Sequence, residues 1–240
     1  MIKFFRKIRK KMLKENKFSK YLLYAIGEIV LVVIGILIAL QLNIQNEIRK
    51  TRNLEIKTLK ELRSDLLQNI VDIDVNIVKL EDCKKANEIV IYHMVNNLPY
   101  NDSLDLYFAN LYPYITFSPI QTAFNYLNQN GVKLLSNDSL RSSISDLYAN
   151  KFSLYKVFEK TYLVEHHDNY VKPMFMAEFE TFDLYESFKP RNYSQFIKND
   201  DYKQIMTYTV ENCDRFIAFQ SSFKESAEDL IYQIDNEIAD

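Results

Sequence analysis

Residues 21–42 read YLLYAIGEIVLVVIGILIALQL, an apolar run whose single charged residue is Glu28. At a helical rise of about 1.5 Å per residue, 22 residues span about 33 Å, which matches a bilayer hydrocarbon core of about 30 Å. A buried core helix is disfavoured by the uninterrupted Ile/Leu/Val run flanked by nine bases, and a signal peptide would have a shorter apolar region ending in a small-x-small site. Here the run is longer and closes on Ala39-Leu40-Gln41, so it reads as an uncleaved transmembrane signal anchor.

The flanks set its orientation. Residues 1–20 hold nine Lys or Arg against one acid, Glu15, whereas the twenty residues after the run hold five bases: Arg49, Lys50, Arg52, Lys57 and Lys60. Positive charge stays in the cytoplasm, which places the N-terminus there and the body outside. Within the head, Phe4, Phe5, Ile8 and Met12 recur at helical spacing among the bases. Residues 2–14 therefore read either as an amphipathic helix on the anionic leaflet or as a basic tail that only sets topology. From Asn43 onward there are 21 bases and 30 acids. The formal net charge of −2 is thus a cancellation between a basic head, an apolar span and an acidic body, and that acidic body argues against nucleic acid as a partner.

The body reads as all-α. Only three Gly and five Pro occur in 240 residues, far fewer than turn-rich β folds or phosphate-cradling loops consume. Between Gly35 and Pro99 there is neither. Leu59, Leu62, Leu66, Ile70, Ile73, Ile77, Leu80, Ile91 and Met94 recur at steps close to three and four, as in a coiled coil, with Lys84 and Asn87 as gaps. The transmembrane helix is therefore expected to continue outward as a long stalk helix over 43–97. Asn97-Leu98-Pro99 ends it. Short helices follow at 102–111 and 119–130, the second opened by Ser118-Pro119 and closed at Asn130-Gly131. A longer helix starts at Asn137-Asp138 and stops at Lys172-Pro173. Residues 173–199 read as irregular, and a last helix covers 200–238 with Ile205, Tyr208, Phe216, Phe219, Phe223, Leu230, Ile234 and Ile238 on its stripe. The expected organisation is a cytoplasmic head (1–20), a transmembrane helix (21–42), the stalk (43–97) and the remaining helices of an elongated extramembrane bundle (98–240).

The opening of the chain carries a resemblance. Glu15-Asn16-Lys17-Phe18-Ser19-Lys20-Tyr21-Leu22-Leu23-Tyr24-Ala25-Ile26-Gly27-Glu28-Ile29, continuing through Val33-Ile34-Gly35-Ile36-Leu37-Ile38-Ala39-Leu40-Gln41, resembles the start of a large family of single-pass membrane proteins of Gram-negative bacteria that carry a domain of unknown function. The match is close over 1–46 and weaker around Thr122-Ala123-Phe124-Asn125-Tyr126-Leu127 and Gly131. Members of that family carry a Trp shortly after the span. This chain reads Asn43-Ile44-Gln45-Asn46-Glu47 there and has no Trp at all, so it lacks that interface anchor. The resemblance implies placement in the inner membrane and brings no activity.

Chemistry-bearing patterns are few. Glu28 shares a helical stripe with Val32, Gly35 and Ala39, so a carboxyl and small residues face one way. That face reads as a helix–helix contact inside the membrane, with a proton path or a Glu snorkelling toward the headgroups as the alternatives. Glu165-His166-His167-Asp168 invites a metal reading. However, consecutive helical side chains diverge by about 100°, and polar decoration of a helix end is the simpler account. Cys83 and Cys213 lie outside any CxxC pattern and are either a disulfide tying the first long helix to the last or two separate buried thiols. The 33 Tyr and Phe residues read chiefly as core, with an aromatic-lined pocket as the alternative. GxSxG, Walker A, HExxH and Rossmann patterns are absent, and no cofactor or metal ligand set is implied. The leading expectation is a non-enzymatic, single-pass inner-membrane protein whose periplasmic bundle acts as a scaffold, sensor or partner-binding module. Its expected partners are the lipid bilayer and a second copy or another membrane protein. The rivals are a stator-like subunit coupling ion flow through Glu28 and an envelope enzyme.

Overall fold

The computed structural model describes residues 18–130, 134–180 and 187–239. The basic head with its amphipathic 2–14 segment, and Gly131, lie outside them. Among the described residues the chain is helical, with no β-strand and one isolated bridge between Phe179 and Pro190.

The first helix, α1, runs without interruption from Phe18 to Val95. By compactness the chain divides into two units, residues 1–55 and 56–240, and α1 contributes to both. In the first unit the helix is long and apolar enough to cross a membrane, and between Leu22 and Leu54 no side chain is buried. The end of α1 is chemically defined. Asn97 takes a positive φ of 47°, the Leu98 N–H reaches the His93 carbonyl (3.0 Å) and the Asn97 N–H reaches Met94 (3.3 Å). This left-handed cap is one that Asn tolerates better than most residues.

The second unit is built from residues 56–95 of α1 together with α2 (Leu104–Leu111), α3 (Thr122–Asn130), a long helix α4 over 138–178, α5 (Tyr193–Phe196) and α6 (Asp200–Ala239). α1 and α6 run antiparallel in a fixed register. Arg63 pairs with Asp235, Asp74 with Lys224 and Lys84 with Asp214, each at 2.7 Å. The steps along the two helices between these pairs are equal. Along these two helices runs a buried seam that repeats every seven residues: Leu59, Leu66, Ile73, Leu80, Asn87 and Met94 on α1, with a second series beside it of Leu62, Asn69, the half-buried Asn76 and Cys83, and Met206, Cys213, Gln220, Ala227 and Ile234 on α6.

The seam on α1 is partly polar, and the segment leading into α3 explains why. Residues 113–121 are not helical and must find partners for their backbone groups elsewhere. Asn69 donates to the Ile120 carbonyl (3.0 Å) and accepts the Ile120 N–H (2.7 Å). Asn76 donates to Thr116 O (3.4 Å), and Asp65 accepts the Ala123 N–H (3.0 Å). From α4, the buried Glu159 carboxylate accepts the Phe117 N–H (2.7 Å), while its other oxygen takes Lys156 Nζ (2.7 Å). These contacts move the start of α3 from the expected Pro119 to Thr122, because an exposed N–H of its first turn is capped by Asp65 of α1 and not by Ser118.

α4 begins as expected, with Asn137 Oδ1 accepting the Leu140 N–H (3.0 Å). It does not stop at Pro173. The helix widens into π turns at Asp146–Lys151, Glu159–Val164 and His167–Val171, and the last of these leads directly into Lys172–Glu178. Proline normally breaks a helix by its missing N–H and by collision with the carbonyl four residues back; a π turn just before it shifts that carbonyl and relieves both problems. The region read as irregular after Pro173 is therefore helical to Glu178 and again at Tyr193–Phe196. Its aromatic side chains make a second core, where Phe108, Phe175, Phe179, Phe188 and Phe196 pack mostly edge to face.

Candidate functional site

His166 and His167 mark the most chemically differentiated part of the bundle. They were expected at a helix end; instead they lie in the interior of α4, between two π turns, and both are buried. Burial rather than decoration is the correction, because α4 continues past Pro173. The two rings diverge, as the helical angle requires. His166 turns toward α6, where Nε2 lies 3.0 Å from Thr209 Oγ1. The Thr209 hydroxyl donates to Ile205 O (2.9 Å), so the imidazole Nε2–H is the donor in that contact. Removal from water holds the His166 pKa down to about 4, with the charge of neighbouring His167 acting the same way and the Ile205 carbonyl opposing both. The ring is therefore neutral through the physiological range. His167 turns the other way, packing on Tyr112 and Tyr114 with Nδ1 3.2 Å from Asp168, and its Nε2 has no hydrogen-bond partner among the described residues.

Outside His166 an open groove of about 450 Å³ runs between α4 and α6, lined by Glu165, Asn169, Tyr170, Gln204 and Tyr208 among others. The Tyr208 ring centroid is 4.7 Å from that of His166, and Tyr170 stays largely exposed. The groove thus offers aromatic faces, amide groups, one carboxylate and a neutral imidazole at its floor. Such a lining offers ring faces for stacking and amide and carboxylate groups for hydrogen bonding. Most other aromatic residues fill the cores, so the pocket and core readings of the Tyr and Phe content each apply to different residues.

Cys83 and Cys213 meet on the inner side of the same region. Both are free thiols, and both are buried in the same core cluster. They share a small cavity of about 30 Å³ with His166 and His167. Among the described residues, however, no group of three or more His, Cys, Asp or Glu is placed to hold a metal ion. His93, the remaining histidine, is engaged with the Tyr193 hydroxyl (3.2 Å).

The stripe expected to make a helix contact in the membrane lies in the first unit. Val32 and Ala39 are exposed, and a Cβ built on Gly35 meets nothing within 4 Å. Glu28 is half-buried on the same face. Among the described residues of this unit none covers Val32, Gly35 or Ala39. Sequence reasoning missed the seam asparagines, the Asp65 cap and the groove. The recurrence of Asn69, Asn76 and Cys83 at steps of seven was the available signal.

A family model described as a family of unknown function (DUF6090) matches residues 28–213, more than three quarters of the chain. The chain belongs to this family. The DUF6090 match starts at Glu28 in the apolar helix and ends at Cys213 in α6, so it takes in most of the apolar run, the non-helical segment 113–121, α4 and both cysteines. Comparison with curated proteins and with solved structures gave no match.

Proposed function

We propose that this chain is a non-enzymatic, single-pass protein of a bacterial inner membrane, with its N-terminus in the cytoplasm and its helical bundle in the periplasm. There it acts as a scaffold or sensor that binds a ligand or partner through the groove between α4 and α6. The observation that carries the reading is the stretch from Leu22 to Leu42: apolar around the helix apart from Glu28 and Gln41, and with no residue fully buried among the described residues. Leaving so many large aliphatic side chains in water would be strongly unfavourable, whereas a bilayer satisfies all of them. The excess of bases ahead of the span supports the orientation, and the aromatic and amide lining of the groove supports binding.

Three measurements test it. A topology reporter fused after Asp240 should be active only outside the cytoplasm; cytoplasmic activity would reverse the orientation. A photo-crosslinking residue at Tyr170, compared with one at exposed Tyr232, more than twenty residues farther along α6 from the groove, should capture a specific molecule in native membranes only from Tyr170. Equal yields from both sites would remove the groove from the proposal, and turnover in a metabolite screen of the full chain in detergent would replace it with an enzyme.

A further inference from the structure

The seam between α1 and α6 contains one pair of residues whose chemistry exceeds packing. Cys83 and Cys213 are the only cysteines in the chain, 5% and 2% exposed, on different helices and lining the same small cavity. Their juxtaposition does not depend on the cysteines themselves. The next residue on each helix, Lys84 and Asp214, forms an ion pair at 2.7 Å, and Arg63–Asp235 and Asp74–Lys224 hold the same register at two further levels. Asn87, one turn along α1, donates to the Cys83 carbonyl (2.8 Å) and lies 3.6 Å from its sulfur, fixing that residue from the side.

We infer that Cys83 and Cys213 are a redox pair, which an oxidised thiol of small-molecule or dithiol-oxidoreductase type converts into an intramolecular disulfide clamping α1 to α6. The thiolate of one cysteine attacks the oxidant's disulfide, giving a mixed disulfide and releasing one thiol. The second cysteine, as thiolate, then attacks the protein sulfur of that mixed disulfide and expels the other half of the oxidant. Two protons and two electrons leave the protein, and the oxidant is reduced to two thiols. The cavity beside the pair has room for a water or two and no oxidant, so the exchange proceeds when the helices part, during folding or local opening. Contact with Cys83 and burial push the Cys213 thiol well above its ordinary range, which makes the closed state slow to react in either direction. That the bond is formed in the cell rests on the periplasmic placement proposed above, since that compartment is oxidising and the cytoplasm is not.

The test uses the full chain in detergent, refolded from denaturant with oxidised glutathione and, separately, with reduced glutathione. The expected result is a monomer lighter by two hydrogens that takes up no alkylating reagent, runs faster on a non-reducing gel and melts about 10 °C above the reduced form. Cys83→Ala and Cys213→Ala should each abolish all of these changes while still melting cooperatively. Glutathione adducts or crosslinked dimers in place of the internal bond would overturn the inference. Alkylation of intact cells before lysis separates the two proposals. Protected cysteines support both, whereas free cysteines in cells, from a protein that forms the internal bond in vitro, would overturn the periplasmic placement and leave the pairing intact.

Discussion

One helix, α1, lives in two different environments. From Leu22 to Leu54 it presents every side chain outward, with Leu31 72% exposed, while from Ile56 to Val95 it buries one narrow stripe on which Leu59 and Leu62 are fully covered. Backbone geometry is the same throughout. The difference lies in how apolar residues are distributed around the cylinder. A helix apolar on all sides can be satisfied only by a solvent that surrounds it, whereas one with a stripe is satisfied by a neighbouring helix. The polar members of the stripe sharpen the contrast, since Asn69 and Asn76 sit where aliphatic residues would continue the pattern and hold the backbone of another segment.

The largest effect should follow from placing a charge in each half. Leu66→Asp would leave an unpaired carboxylate in the seam and should cost more than about 4 kcal/mol, abolishing the cooperative melt. Leu31→Asp should leave that melt unchanged in detergent while costing about 3 kcal/mol of membrane insertion, read as loss from the membrane fraction. If both variants unfolded the bundle, the division of α1 into two environments would fail.

Acid should weaken the bundle through His166. Its folded pKa, about 4, lies below the unfolded value of 6.5, so the unfolded chain takes up the proton first. The stabilisation is complete above pH 6.5 and is lost as the pH falls toward 4, on the order of 3 kcal/mol in all. Denaturant melts across that window should show the slope, and His166→Gln should remove its part of it. An unchanged slope would mean that the ring is open to water.

Asn69→Ala should cost about 2 kcal/mol, because it strips both the N–H and the carbonyl of Ile120 of their partner. The same change at exposed Asn43 should be neutral. Comparable losses at both positions would contradict the role of the seam asparagines. A smaller effect is expected from Arg63→Met, which removes an exposed ion pair with Asp235 worth at most about 1 kcal/mol and diminished by salt. Least of all, Glu28→Gln should not move the melt. Its expected signature is altered crosslinking from a probe at Val32 in membranes, and identical crosslinks would remove the membrane-contact reading of that stripe.

Much of α1 was legible because its pattern is local. Leu59, Leu62, Leu66, Ile73, Leu80 and Met94 announce their face by spacing alone, and all are buried. Ile70, Ile77 and Ile91 were read onto the same stripe, yet they flank it, while Asn87 was read as a gap and is buried within it. The error has a physical cause. A hydrophobic pattern ranks asparagine as surface, but a buried asparagine is stable wherever backbone groups meet it, and for Asn69 those groups lie some fifty residues away. Pro119 and Pro173 mislead for related reasons. The first helical turn after Pro119 is capped by Asp65 on another helix, and Pro173 is accommodated by a π turn whose widening leaves no mark on the hydrophobic period.

By itself, then, the sequence determined the helical class, the apolar span, the starts of α4 and α6 and the ends of α1 and α6, since these depend on composition, on 3.6-residue periodicity and on capping chemistry within a few residues. Only the tertiary structure decided that Cys83 faces Cys213, that His166 and His167 are buried and divergent, and that a groove opens between α4 and α6. Each of those depends on the antiparallel register of α1 and α6 or on the π turns of α4. Register is a property of pairs of segments more than a hundred residues apart, which no local pattern encodes.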